Sequence, residues 1–98
     1  MTDERCSLRL TRRYRATVAE VWDALLDGRW LGVTDAVVRA VEHQRVAEVD
    51  LPGSVARIEL TREGDTTLLV LEHADVAAPV GMRAMGLWTR ALARLEVA

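Results

Sequence analysis

The residues able to do chemistry are few and scattered. His73 and Asp75, two apart in the stretch T-T-L-L-V-L-E-H-A-D, would share one strand face and could serve as an acid–base pair or as two metal ligands. A metal site needs more ligands than one His-x-Asp supplies, so the plainer reading is a partly solvated histidine at a strand end. His43 falls near a turn and reads as exposed. Cys6 is the single cysteine, which excludes an intrachain disulfide and a cysteine zinc motif, and no histidine stands beside it to activate the thiol. The serines, Ser7 and Ser54, lie outside any G-x-S-x-G elbow. Gly81 and Gly86 bracket M-R-A-M with no lysine after them, so no phosphate loop forms. No catalytic residue, metal site or cofactor is expected.

The arginines are the remaining candidates. Arg9, Arg13 and Arg15 alternate along the first strand, and Arg83, Arg90 and Arg94 line one side of the last helix. Adjacent rows of this kind could meet phosphates, yet acidic residues outnumber basic ones, 15 to 13, and such rows are the ordinary dress of a solvated face. Nucleic-acid binding is not expected. Arg12 differs, because it shares the parity of Leu8, Leu10 and Tyr14. Pointing inward, it needs a carboxylate or the anionic group of a ligand; otherwise the strand end is open to water there.

These residues sit on a chain of 98 with net charge -2, half of it apolar, which suits one globular domain over residues 1–98. The lone cysteine points to a reducing cytoplasm. No apolar run is long enough to span a membrane, and the first residues lack the apolar core of a signal peptide.

The elements that position the candidates follow from patterning. Leu8, Leu10 and Tyr14 alternate with arginines as in a half-buried strand. Thr17 and Glu20 form a capping-box signature, and Val18, Val21, Trp22, Leu25 and Leu26 then fall on one helical face, with Gly28 as the stop. Arg29 to Leu31 extend it by a turn before Gly32. Residues 37–43 and 45–51 are rich in strand formers, with a weak turn around Gln44. Pro52-Gly53 suits a type II turn, 55–62 alternates with Ala56, Ile58 and Leu60 on one side, and Gly64-Asp65 suits a tight hairpin before 66–74. After Pro79, a helix carries Ala84, Met85, Trp88, Ala91, Leu92 and Leu95 as an apolar stripe opposite its arginines.

A strand leading into A-T-V-A-E-V-W-D-A-L, the late strand T-T-L-L-V-L-E-H and the closing helix G-L-W-T-R-A-L-A-R-L together resemble the SRPBCC superfamily. The branch most similar is the one named for the activator of heat-shock-protein ATPase, and START domains and pollen-allergen proteins share its helix-grip fold. The resemblance implies an α+β fold in which a curved antiparallel sheet wraps a long C-terminal helix over an apolar cavity, with Trp22 anchoring the short helix against the sheet. Some relatives are polyketide cyclases, though cyclase action depends on a cavity lining that this sequence does not display.

Trp30 is followed too closely by Val37 to admit another strand pair, so about five strands are expected where relatives have seven. The pocket should then be open at one edge or filled by Met82, Met85 and Trp88. The resemblance implies a ligand site of Arg12, Tyr14, Leu69, Leu71, His73, Met85 and Trp88, with Arg12 and Tyr14 at the mouth. Leu68 and Val70 take the opposite parity and would leave an apolar outer face, which suggests a homodimer. Burying them from two subunits would contribute about 6–12 kcal/mol, against an association cost of about 4–15 kcal/mol. The function expected is binding of a small apolar or aromatic molecule. The alternative is a domain with a closed pocket that self-associates or docks a partner protein.

Overall fold

Period-two alternation produces five strands, and helical spacing near the two ends produces the helices that cover one face of them. The computed structural model describes residues 5–32, 36–51 and 53–95, with side chains for all of these except 5, 6 and 75–82. The order is β1 (Arg5–Tyr14), α1 (Val18–Asp27), a 3-10 turn (Arg29–Leu31), β2 (Val37–Glu42), β3 (Val46–Leu51), β4 (Ser54–Glu63), β5 (Thr66–Ala77) and α2 (Ala78–Arg94). One antiparallel sheet runs β1-β5-β4-β3-β2, so β1 lies against the last strand of the meander. This is the α+β helix-grip fold with five strands. No helix among the described residues is long and apolar enough to cross a membrane.

Turn chemistry sets the register. Gly64, at φ 58°, fills the first central position of the two-residue loop closing Glu63 onto Thr66. Gly53, at φ 79°, gives the positive angle a type II turn needs at its second central residue; Pro52 lies outside the described residues. The weakest sequence signal, around Gln44, is a true turn in which Gln44 itself takes φ 56°.

On the inner face Ala47, Val49, Ala56, Ile58, Leu69 and Leu71 are fully buried. Val21, Trp22 and Leu25 of α1, Trp30 and Leu31 of the 3-10 turn, and Trp88, Ala91, Leu92 and Leu95 cover them. Trp22 does anchor α1, and the ring of His43, exposed in its turn, stands edge-on to it at 6.0 Å. Thr17 Oγ1 accepts the Glu20 amide at 3.2 Å as a cap should, but its hydroxyl donates to the Glu20 carboxylate at 3.0 Å.

Two expectations about helix faces need correction. Leu26 leaves the apolar stripe of α1 and is 42% exposed. Met85 likewise lies outside the core, because α2 is rolled so that Leu87, on the opposite flank of the stripe, packs against it instead. Arg94 is exposed on the side of α2 that carries Arg83 and Arg90, as expected, and its guanidinium also donates to the carbonyls of Trp30 at 3.3 Å and Leu31 at 3.1 Å, tying α2 to the 3-10 turn.

The outer face carries a pattern that emerges only from the register. Arg9, Glu72, Arg57, Glu48 and Arg39 are successive cross-strand neighbours through β1, β5, β4, β3 and β2, a row of alternating charge across the sheet. Arg9 pairs with Glu72 at 3.7 Å and Arg39 with both Glu48 and Asp50 at 2.9 Å. The Arg39 hydrogen bonds hold the Asp50 carboxyl below its usual value.

Candidate functional site

The buried run of β5, Thr67, Leu69, Leu71 and His73, points one side chain in two under α2. Its last member is polar and 2% exposed, so its hydrogen bonds must come from protein. The Trp88 indole N–H donates to His73 Nδ1 at 3.2 Å, and His73 Nε2 lies 3.0 Å from Ser54 Oγ. An indole nitrogen can only donate, so Nδ1 must accept and the neutral ring carries its proton on Nε2, donating to Ser54. Burial pushes the imidazole below its ordinary value, which favours this neutral form. The rings of His73 and Trp88 meet edge to face at 5.9 Å, and Trp30 packs against the far side of the same cluster, 6.2 Å from Trp88.

This chain of hydrogen bonds ends at a cleft of about 230 Å³. Leu51, Ala84 and Leu87 form its apolar walls, His73 and Trp88 its floor, and Ser54 and Arg83 its polar edge. Ligand sites usually start near 300 Å³. The cleft is therefore small, and Trp88 occupies space that a larger cavity would hold. Two wider hollows lack this chemistry. One, of about 450 Å³, lies where α1 meets the β4–β5 turn, and there Thr17 caps the helix while Thr67 donates to the Ala16 carbonyl at 2.8 Å. The other, of about 480 Å³, lies over Thr11, Arg12, Arg13 and Leu68.

The seven residues expected to form one site divide between two ends of the grip. His73 and Trp88 are joined by their hydrogen bond, while Leu69 and Leu71 lie deeper in the core. Tyr14 pairs in register with Thr67, six residues from His73 and so about 20 Å along the strand. Its hydroxyl donates to the Leu92 carbonyl at 2.8 Å, and burial pushes its pKa up to about 12 against the opposing charge of Arg12. Arg12 has the inward register, opposite Leu69, yet is exposed, its guanidinium 5.9 Å from the Tyr14 ring centre. The strand end is open to water there, and a cation over an aromatic face needs no buried carboxylate. Met85, on the outer flank of α2, does not line the cleft. The side chains of Asp75, Met82 and Cys6 lie outside the described residues.

Sequence reasoning missed Ser54, Leu51 and Leu87 as cleft residues and weighed Arg83 only as part of an arginine row that could meet phosphates. Ser54 was legible: it has the parity of Ala56, Ile58 and Leu60, one step further back on β4. On the opposite face of β5, Leu68 and Val70 are half-buried between Arg13 and Thr61 and between Thr11 and Glu59, their cross-strand neighbours. Arg13, in turn, is paired with Glu63 at 2.7 Å.

A clasped terminal helix, a five-stranded curved sheet and a cleft at their open end define a small helix-grip domain. CalU16 from Micromonospora echinospora is similar in fold: its crystal structure shares 25% identity at TM-score 0.72, covering 97% of this chain and 84% of that one. Its solution structure gives 26% identity and TM-score 0.75, over 96% and 72%. A conserved protein of unknown function from Enterococcus faecalis, EF2215, shares the fold at 13% identity and TM-score 0.73, over 91% and 68%. No protein-family model matches the chain, and neither does any curated protein.

Proposed function

We propose that this domain binds a small apolar or aromatic molecule in the cleft between α2 and the β3–β4 end of the sheet. The observation that carries this reading is the Trp88–His73–Ser54 chain, which places a buried, fully partnered imidazole beneath an apolar hollow. A few polar groups converging on an apolar concavity are the usual anatomy of a ligand site. The likeness in fold to CalU16 supports the helix-grip scaffold on which this reading rests. A screen of flat aromatic and fatty compounds by thermal shift tests it: a specific ligand of the native state must raise the melting temperature. A screen in which no compound does so counts against binding.

The small volume of the cleft favours a second reading, a domain whose pocket has largely closed and which self-associates through Leu68 and Val70. Sedimentation separates the two. A dimer at micromolar concentration that Leu68→Asp dissolves supports this reading, and a monomer at every concentration removes it.

A further inference from the structure

The polarity of the cleft carries the ligand reading one step further. Trp88 donates to His73, so His73 donates to Ser54 and both imidazole nitrogens are used. The Ser54 oxygen thereby takes a proton from below, and its own hydroxyl proton has no acceptor among the described residues. Ser54 is only half-buried and lines the cleft, where that proton can point. The other polar side chain at the edge is Arg83, exposed on α2 and a donor in every state. The walls, Leu51, Ala84 and Leu87, offer only apolar contact.

We propose that the cleft selects a compact apolar carboxylic acid, its carboxylate accepting from the Ser54 hydroxyl and the Arg83 guanidinium and its apolar body lying against Leu51 and Leu87. This deepens the ligand-binding reading and rests on it. The volume of about 230 Å³ suits a fragment-sized ligand, such as a single-ring acid. The direction of the hydrogen-bond chain calls for an acceptor at Ser54, and the Arg83 charge supplies the selectivity: a neutral alcohol of the same shape cannot bring a charge to Arg83, and hydrogen bonds to an ionised acceptor are the stronger kind.

The full chain is titrated with benzoate and, separately, with benzyl alcohol and benzamide, following the indole N–H resonance of Trp88. Benzoate should bind about tenfold or more tightly than either neutral probe. Arg83→Gln, an exposed change that leaves the core intact, should weaken benzoate enough to abolish that preference. Ser54→Ala should weaken benzoate in the same direction, with Arg83→Gln as the cleaner variant because Ser54→Ala also leaves the His73 Nε2 proton without its partner. Neutral probes binding as tightly as benzoate, or an unchanged preference in Arg83→Gln, overturns the choice of acid while leaving binding in the cleft intact. If no probe moves the Trp88 resonance, the cleft is not a site for such ligands, and both the proposal and the reading beneath it fall.

Discussion

His73 is the residue on which local energetics turn, because among the described residues it is the one buried group whose charge changes near neutral pH. Its folded pKa lies below the ordinary imidazole value of 6.5, so below that pH the unfolded chain takes up the proton more readily than the folded one. Stability therefore rises with pH. Its contribution should be complete above about pH 6.5 and be lost as pH falls through the lowered folded value. Thermal melts between pH 7.5 and 5 should show this fall, and His73→Gln should flatten it; an equal slope in the variant would remove His73 as its source. Trp88→Phe deletes the donor to Nδ1 while keeping most of the ring. It leaves a buried acceptor unpaired, and urea unfolding should register a loss of about 1–3 kcal/mol. A loss near zero would mean that a water or another donor takes the place of the indole.

At the scale of elements, the described side chains hold α2 by the Trp88 bond to β5, by the Tyr14 hydroxyl of β1 on the Leu92 carbonyl, and by Arg94 on the carbonyls of the 3-10 turn. Gly32 ends that turn at φ 73°, and a Cβ there would meet Arg94 Nη2 at 2.6 Å, whereas Gly28, at φ 80°, has open space around it. Gly28→Ala should cost about 1 kcal/mol, the conformational penalty alone. Gly32→Ala should cost more, since it also displaces Arg94, and the excess should vanish in an Arg94→Ala background. Double-mutant unfolding measures this directly, and additive losses would deny the coupling. The elements themselves were legible in the sequence. Thr17 with Glu20, the glycines at 28, 53 and 64 and the alternation of Ala56, Ile58 and Leu60 mark boundaries that the structure keeps to within a few residues. What stayed hidden was how each helix is rolled. The stripe that includes Met85 on one flank could equally include Leu87 on the other, and only the sheet beneath decides. The candidate site was half legible for the same reason: parity on β5 reveals His73, but the partnership with Ser54 depends on how β4 and β5 align, and that with Trp88 on where α2 lands.

For the whole molecule, the sheet has one dry face under the helices and one wet face organised by the row Arg9, Glu72, Arg57, Glu48 and Arg39. Each carboxylate of the row stands between two arginines, so reversing one places three like charges side by side. Glu72→Lys should lower the unfolding midpoint at low salt by more than Glu72→Gln does, and the difference should shrink between 0.05 and 1 M salt as screening shortens to about 3 Å. A difference independent of salt would assign the loss to packing. On the same face Leu68 and Val70 are half-buried between Arg13 and Thr61 and between Thr11 and Glu59, which reduces the apolar area available for self-association. The reduced sheet still clasps its helix, and the aromatic cluster of Trp30, Trp88 and His73 packs inside the grip, beside the cleft that His73 and Trp88 line.

Fold and site meet in one proton. With Trp88 turned inward and donating, the imidazole of His73 must be neutral with its hydrogen on Nε2. Long-range proton–nitrogen correlation spectra of the imidazole at pH 7 read this state directly. The account predicts a bare, accepting Nδ1 and a protonated Nε2. A proton on Nδ1, or a doubly protonated ring at that pH, would contradict it.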